Sequence, residues 1–550
     1  PKPTTKSKKQ TQLSFLLGGT GRSSPSLSLS DGPPYANGNL HLGHIVNRVT
    51  KDIFIRQAEV QEREREGGAR ARQGQVEARP FLPGWDCHGL PIEQKALAAV
   101  QQEGDASARS SAAASRPDPM TIREIAASFA RQAIARQADT LAALNIRASL
   151  PTTISNGTTP AYYSTMDPAY EGQVLGLLAD CVAHGNLYRA TRPIHWSPSS
   201  RTVLAEAELE YADKTDKSIW FLVPLVDDDG KADGAVTGGP GEHMLVWTTT
   251  PWTIPANVAI AVSPDLEYTT VRVTTSTGAC VSAWVALDAL DRLTNDDLPT
   301  AVQRQPDAPR CAGTALVGRV YQHPWPESEA AKDVLRVISA DFVSASAGSG
   351  AVHCAPAHGA DDAAACRAAA APPGADVLLD DGSLRPYVGP TLAGRYCWTV
   401  EPTVTEGLAD LHVATIPIRH SVPIDWRTKM PVVTRATAQW FLRVHKEQAL
   451  AALDDVTFSP RSGRTRLASF LQTRGDWCIS RQRSWGIPIP VFADPAADGR
   501  LVLDESIIRY AAQLIGERGS DVWWTTEDDD DLLPPDFRGR GLRRQWGTLD

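Results

Sequence analysis

Between about Ser197 and Arg419 the sequence changes texture, and this change limits the possible folds more than any single motif does. "SIWFLVPLV", "HMLVWTTT", "NVAIAVS", "YTTVRVTT" and "VSAWVAL" are short, rich in β-branched residues and bounded by Gly, Pro or Asp, which is the pattern of strands. On both sides helical periodicity takes over. "HIVNRVTKDIFIRQAEV" sets Ile45, Val49 and Ile53 four residues apart, with Val46 and Phe54 alongside. That spacing predicts a helix with one buried apolar face. "MTIREIAASFARQAIARQADTLAALNI" has the same period, and "MPVVTRATAQWFLRV" and "RTRLASFLQTRGDWCISRQRSWGIPIPVF" return to a mixed α/β pattern. The expected fold class is therefore α/β, with a body interrupted by a β-rich insertion. Residues 31–196 and 420–550 would form the two halves of the body and 197–419 the insertion, with 1–30 as a tail.

Three stretches break the pattern. "QEREREGGARARQGQVEARP" reads as a solvated loop or insertion, Gln101 to Pro119 as a low-complexity linker, and "TTEDDDDLLPP" as an acidic surface loop. With 550 residues, 42% hydrophobic and 22% charged, the composition suits two or three soluble globular domains. The formal net charge of −9 gives no support to a nucleic-acid binder, although a local basic face could still carry one. The eight cysteines contain no CxxC pair, which disfavours a zinc site or a disulfide framework and suits a reducing compartment. No apolar run approaches the ~20 residues of a membrane-spanning helix. The first thirty residues are basic, rich in Ser and Thr and free of Asp and Glu. They fit part of an organellar transit segment or a disordered tail equally well. The sequence starts without Met and stops at "RRQWGTLD", which reads as a fragment.

The stretch "DGPPYANGNLHLGH", Asp31 to His44, leads directly into the first helix. Its prolines fix an extended entry and Asn37-Gly38 supplies a tight turn. His41 and His44 are three apart and share one face if the helix starts there. Their ring N–H groups, with the amides of the first turn, could donate to phosphate oxygens. Gly43 leaves room for a flat nucleobase. Taken alone, His-x-x-His is as readily structural.

The whole string resembles the ATP-binding signature of class I aminoacyl-tRNA synthetases in its isoleucyl form. "PGWDCHGLPIE" (Pro83 to Glu93) is similar to that family's second catalytic segment. "WTTTPWTIPAN", "GSGAVHCAPAHGADD", "PIDWRTKMPVVTRATAQWF", "DWCISRQRSWGIPIP" and "HWSPSSRTVLAEAELEY" also match. The "DWRTK" wording looks like the bacterial and mitochondrial branch, and the matches run in order from Asp31 to Asp550. The resemblance implies a Rossmann-type catalytic domain split by an editing domain. It implies ATP with Mg²⁺, isoleucine and tRNA(Ile) as partners, a monomer, no membrane association, and the mitochondrial matrix or else the cytoplasm. His41 and His44 would be catalytic, lying with Gly43 and Asn47 on the ATP side. Pro33, Pro34 and Tyr35 would line the amino-acid side, where Asp86 would hold the substrate's α-ammonium.

The family also implies an editing site. Valine lacks one methylene of isoleucine, and a hydrophobic pocket gains only about 1–3 kcal/mol from such a group, so a second, hydrolytic site completes the discrimination. Thr248, Thr249, Thr250, Asn257, His353 and Asp362 match its pocket, with Asp362 on the ammonium of misattached valine. Without that context "TTT" reads as plain strand and His353 as a packed strand histidine; His358 is not selected. The Gln61 to Arg79 loop is longer than the family pattern, and the linker before "STMD" lacks the usual Gly-Asp-Trp. The Val-Trp-Phe-Asp-Ser-Gly, Glu-Gly-x-Asp-Gln and Lys-Met-Ser-Lys-Ser strings have no counterpart here, nor do the anticodon-binding helices. The expected function is an isoleucine–tRNA ligase with editing of valyl-tRNA(Ile). The alternative is an editing hydrolase without synthetic activity.

Overall fold

The computed structural model describes residues 32–65, 83–103, 118–146, 162–226 and 242–550. The first thirty residues, most of the charged run after Gln61 and most of the Gln101–Pro119 linker lie outside the described residues. The chain divides into two compact units. One comprises Pro1–Leu187 with Ser480–Asp550; the other, Tyr188–Ile479, is inserted between these two segments in the sequence.

The first unit is built on a short parallel ladder. Tyr35 bridges Asp86 in parallel, and β1 (Gly84–Trp85) pairs in parallel with β2 (Tyr163–Ser164). Parallel neighbours need crossover connections, and helices supply them. The helix α1 (Leu42–Arg65) lies between the first two segments, and α2 (Leu90–Glu103) and α3 (Pro119–Ala143) lie between the next two. Asp118 caps α3 by accepting from the Thr121 N–H, and Pro119 occupies its first turn. The core gathers Trp85, Ile92, Ile122, Ala126 and Leu141. Gly84 is required sterically, because a Cβ there would fall 1.9 Å from the Tyr163 ring. Arg123, on α3, is buried and ties the two chain segments of this unit together. It donates to Asp521 (2.6 Å), to the Ser484 and Gly486 carbonyls (2.7 and 3.0 Å) and to Ser520 (2.6 Å).

Three expectations need correction here. The helix α1 forms, but its apolar stripe is exposed at Val46, Val49, Ile53 and Phe54, and among its described side chains the buried ones are Arg48 and Asp52. Arg48 reaches the Gly84 carbonyl at 3.4 Å, and Asp52 pairs with Arg56 at 2.6 Å. Polar anchoring to β1 therefore sets the inward face. The helix also continues through Arg65, into the run read as solvated. The acidic stretch near the C-terminal end is not simply solvated either. Asp529 is buried against Arg544 at 2.5 Å, and Leu532 and Leu533 enter a core.

In the second unit, the five strand-like strings all form strands of an eleven-stranded mixed sheet among the described residues. These are β3 (Leu209–Val226), β4 (Glu242–Thr248), β5 (Ala259–Val262), β6 (Glu267–Thr274) and β7 (Cys280–Ala286). With β8 (Val302–Arg304), β9 (Val320–Tyr321), β10 (Leu335–Ser339), β11 (Ala351–Cys354) and β12 (His412–Asp425), the order is β8-β6-β7-β4-β11-β5-β10-β9-β3-β12, and Arg310–Ala312 pairs separately with β6. An additional β3–β4 pairing closes β4, β11, β5, β10, β9 and β3 into a barrel, which leaves those strands without edges. Its core contains Ile219, Phe221, Leu245, Ile254, Ile260 and Val337. The long β3–β12 ribbon pairs Leu209–Thr215 with Arg419–Asp425, so the strands entering and leaving the barrel run side by side.

Candidate functional site

At the first site, main-chain bonds decide which side chains meet. The Ala36 N–H donates to the Asp86 carbonyl (2.7 Å), and the Asp86 N–H donates to the Pro34 carbonyl (3.0 Å). Pro34 is buried, while Pro33 and Tyr35 are progressively more open. Gln137, on α3, holds the turn after Tyr35 by donating to the Tyr35 and Gly38 carbonyls (2.9 and 2.8 Å) while accepting from the Trp85 indole (3.0 Å). Both Tyr35 and Asp86 sit where parallel segments end and helices begin, the usual position for ligands in such sheets.

His41 and His44 follow at the head of α1, with their rings stacked 3.7 Å apart. The His41 backbone N–H donates to His44 Nδ1 at 3.3 Å, so the proton of a neutral His44 resides on Nε2. Burial, His41 and Arg48 all lower the His44 pKa, which favours this neutral donor. A Cβ on Gly43 would meet the His41 ring at 3.0 Å, so a bare backbone keeps this corner open. Asn47 is exposed on α1. Burial pushes the Asp86 carboxyl above its ordinary range, against the pull of His88. A cation arriving beside such a carboxylate recovers the cost of burying its charge. The arrangement offers His44 as a neutral donor and a helix N-terminus for an anion, and, at the Tyr35–Asp86 bridge, a carboxylate for a cation.

The second site is a cavity of about 300 Å³ in the inserted unit, lined by Thr248, Thr249, Thr250, Thr253, His353 and Asp362 among others. The β4–β11 pairing, which sets Val352 beside Trp247, brings the threonine run next to His353. Asn257 lies behind the wall, fully buried. Its amide nitrogen donates to the Ala259 carbonyl (3.1 Å) and contacts His353 Nδ1 (2.6 Å). His353 Nε2 lies 3.1 Å from the Thr253 hydroxyl, which donates to the Thr250 carbonyl at 2.8 Å. Thr250 and Thr248 hydroxyls are 3.3 Å apart. Burial, reinforced by His323 and His358, lowers the His353 pKa to about 3, so this ring is neutral at physiological pH. Asp362 lies in the first turn of the helix α4 (Ala360–Ala368) and accepts from the Ala355 N–H at 3.0 Å. Burial nevertheless raises its pKa.

All six residues expected at this second site are thus gathered at or directly behind one cavity. His358 borders the same cavity, but its ring is engaged by the Thr434 carbonyl (3.0 Å) and the Val377 N–H (3.3 Å). Thr253 and Tyr321 are the additions. Thr253 stands within the quoted "WTTTPWTIPAN" but outside the Thr triplet. Tyr321 donates to Asn257 Oδ1 at 2.5 Å from a distant strand, and no local pattern marks it. Among the described residues no three His, Cys, Asp or Glu side chains group as a metal site would require, and no helix is long and apolar enough to cross a membrane.

The family model of class I tRNA synthetases (I, L, M and V) matches residues 17–550. An isoleucine–tRNA ligase of Synechococcus sp. is 37% identical over 532 residues, covering 94% of this chain and 50% of that protein. One from Gluconobacter oxydans is 34% identical over 526 residues, covering 92% and 51%. An isoleucine–tRNA ligase 1 of Bacillus cereus is 35% identical over 527 residues, covering 94% and 50%. The chain spans about half the length of the curated relatives it matches.

Proposed function

The chain belongs to the class I tRNA synthetases of the I, L, M and V group, and we propose that it is the first part of an isoleucine–tRNA ligase. In this role isoleucine and ATP form isoleucyl-AMP with release of pyrophosphate, and the acyl group then passes to the terminal ribose of tRNA(Ile). The main support is the Tyr35–Asp86 pairing together with the helix α1, which carries His44 and is directly preceded by His41. Asp86 would take the α-ammonium, and Pro33, Pro34 and Tyr35 would border the amino acid. His41, His44, Asn47 and the backbone at Gly43 would face the triphosphate, stabilising charge that develops in transfer. Mg²⁺ would be carried on the phosphates, as is usual for that ion. The relatives' names support isoleucine over the other amino acids of the group. A location in the mitochondrial matrix, or else the cytoplasm, is consistent with the basic, acid-free first thirty residues.

The inserted cavity would hydrolyse valyl-tRNA(Ile). A water oxygen adds to the ester carbonyl carbon, the bond to the ribose oxygen breaks, and that oxygen takes a proton as valine leaves. Asp362 would hold the valine ammonium, and Thr248, Thr249 and Thr250 would orient the ester and the water. With both ring nitrogens engaged, His353 is not a free base. Because every residue of this cavity comes from the unit Tyr188–Ile479, a second role is supported: editing hydrolysis by this chain without synthesis.

The test of the synthetic role is isoleucine-dependent ATP–pyrophosphate exchange by this sequence extended to the length of its relatives. Exchange with isoleucine is expected. Exchange driven only by valine or leucine would contradict the assignment.

A further inference from the structure

Tyr321 lies outside the cavity, yet it begins the hydrogen-bond chain that reaches the cavity wall. The chain's direction can be assigned atom by atom. The Ala259 carbonyl only accepts, so the Asn257 atom 3.1 Å away is the amide nitrogen. That nitrogen's second hydrogen points at His353 Nδ1, 2.6 Å away, which must therefore present a lone pair. The proton of neutral His353 sits on Nε2 and is donated to Thr253 Oγ1 (3.1 Å). Thr253 spends its own proton on the Thr250 carbonyl (2.8 Å). The Asn257 carbonyl oxygen is left facing the Tyr321 hydroxyl, which donates to it at 2.5 Å. Tyr321 and Asn257 are buried, so water cannot replace that donor at low cost.

We propose that Tyr321 is a positioning residue of the hydrolytic cavity: its phenol orients the Asn257 carboxamide, which holds His353 as the Nε2–H tautomer that supports Thr253 and, through it, Thr250. The tautomer rests on geometry alone, and its bearing on hydrolysis rests on the function proposed above. His323 and His358 are the titratable groups that act on this ring, and Tyr321 meets Asn257 behind it. Burial lowers the pKa of both histidines and raises that of the phenol, so the assignment holds across neutral pH.

The whole 550-residue chain, labelled with ¹⁵N-histidine, tests this by NMR, with the His353 signals identified by their loss in His353→Gln. Wild type is expected to show Nε2–H, and a His353 protonated at Nδ1 would overturn the proposal. In Tyr321→Phe the tautomers are expected to mix. Hydrolysis of valyl-tRNA(Ile) is expected to lose about tenfold in kcat, with KM within about twofold. An unchanged tautomer with unchanged kcat would overturn it, as would lower thermal stability alone. Should that variant not fold, Asn257→Asp substitutes: its carboxylate only accepts, so the His353 proton is expected to move to Nδ1, and a persistent Nε2–H would count against the proposal. A wild-type chain that shows the expected tautomer but no hydrolysis refutes the hydrolytic function and leaves the positioning of His353 standing.

Discussion

Tyr35 and Asp86 are register partners in a parallel bridge, joined by Ala36 N–H to Asp86 O (2.7 Å) and Asp86 N–H to Pro34 O (3.0 Å). Both bonds are main-chain bonds. The Asp86 carboxylate therefore takes no part in holding the two segments together, and chemistry there can be removed without undoing the ladder. In the chain extended to its relatives' length, Asp86→Ala is expected to lower isoleucine-dependent pyrophosphate exchange by about a hundredfold, the scale of a lost charge-assisted bond. The melting temperature should stay close to wild type. Near-normal exchange would refute the assigned role of Asp86.

Gly84→Ala tests the ladder itself. The added methyl would fall 1.9 Å from the Tyr163 ring, so β1 or the ring must move. Overpacking of this kind costs about 1–3 kcal/mol, measurable by urea denaturation. Tyr163→Ala should recover part of that loss in the double variant. Additive losses would mean that the two residues do not meet.

Arg123 tests how the two segments of the first unit cohere. Replacing it with Leu removes the donor for two buried carbonyls and Ser520 and releases Asp521. At about 1 kcal/mol or more for each stranded acceptor, a loss of about 3 kcal/mol is expected. Limited proteolysis should then cut near Ser484 or Ser520 first. Wild-type stability and cutting would remove Arg123 from this role.

The sequence revealed these features unevenly. Strands such as "HMLVWTTT" were readable because β-branched residues with Gly, Pro and Asp at their ends reflect a local preference. The inward face of α1 was not readable: the stripe at Val46, Val49 and Ile53 lies outward, while Arg48 turns inward to the Gly84 carbonyl, a partner thirty-six residues on that periodicity cannot see. Asp529 was hidden for the same reason, since its partner Arg544 lies fifteen residues on. The threonine run, Asn257, His353 and Asp362 could be placed together only through family resemblance. Tyr321 escaped even that, because its contact with Asn257 arises when the barrel closes.

Asp362 makes the second site pH-dependent. Burial raises its folded pKa, so the ionised form is disfavoured in the fold. That penalty is present in full above the folded pKa and is relieved as pH falls through it. Asp362→Asn is therefore expected to raise the melting temperature at pH 7 and to flatten its dependence on acid. Since only the ionised form holds an ammonium, hydrolysis of valyl-tRNA(Ile) should decline on acidification at a pH above the ordinary carboxylate range near ~4. A decline only within that ordinary range would contradict the burial effect.

The most direct measurement is deacylation by the 550-residue chain of valyl-tRNA(Ile) and isoleucyl-tRNA(Ile) side by side, repeated with Asp362→Ala. The prediction is rapid loss of valine, isoleucine left in place, and no valine loss with the variant. Equal hydrolysis of both esters, or an Asp362→Ala chain as active as wild type, would contradict the account.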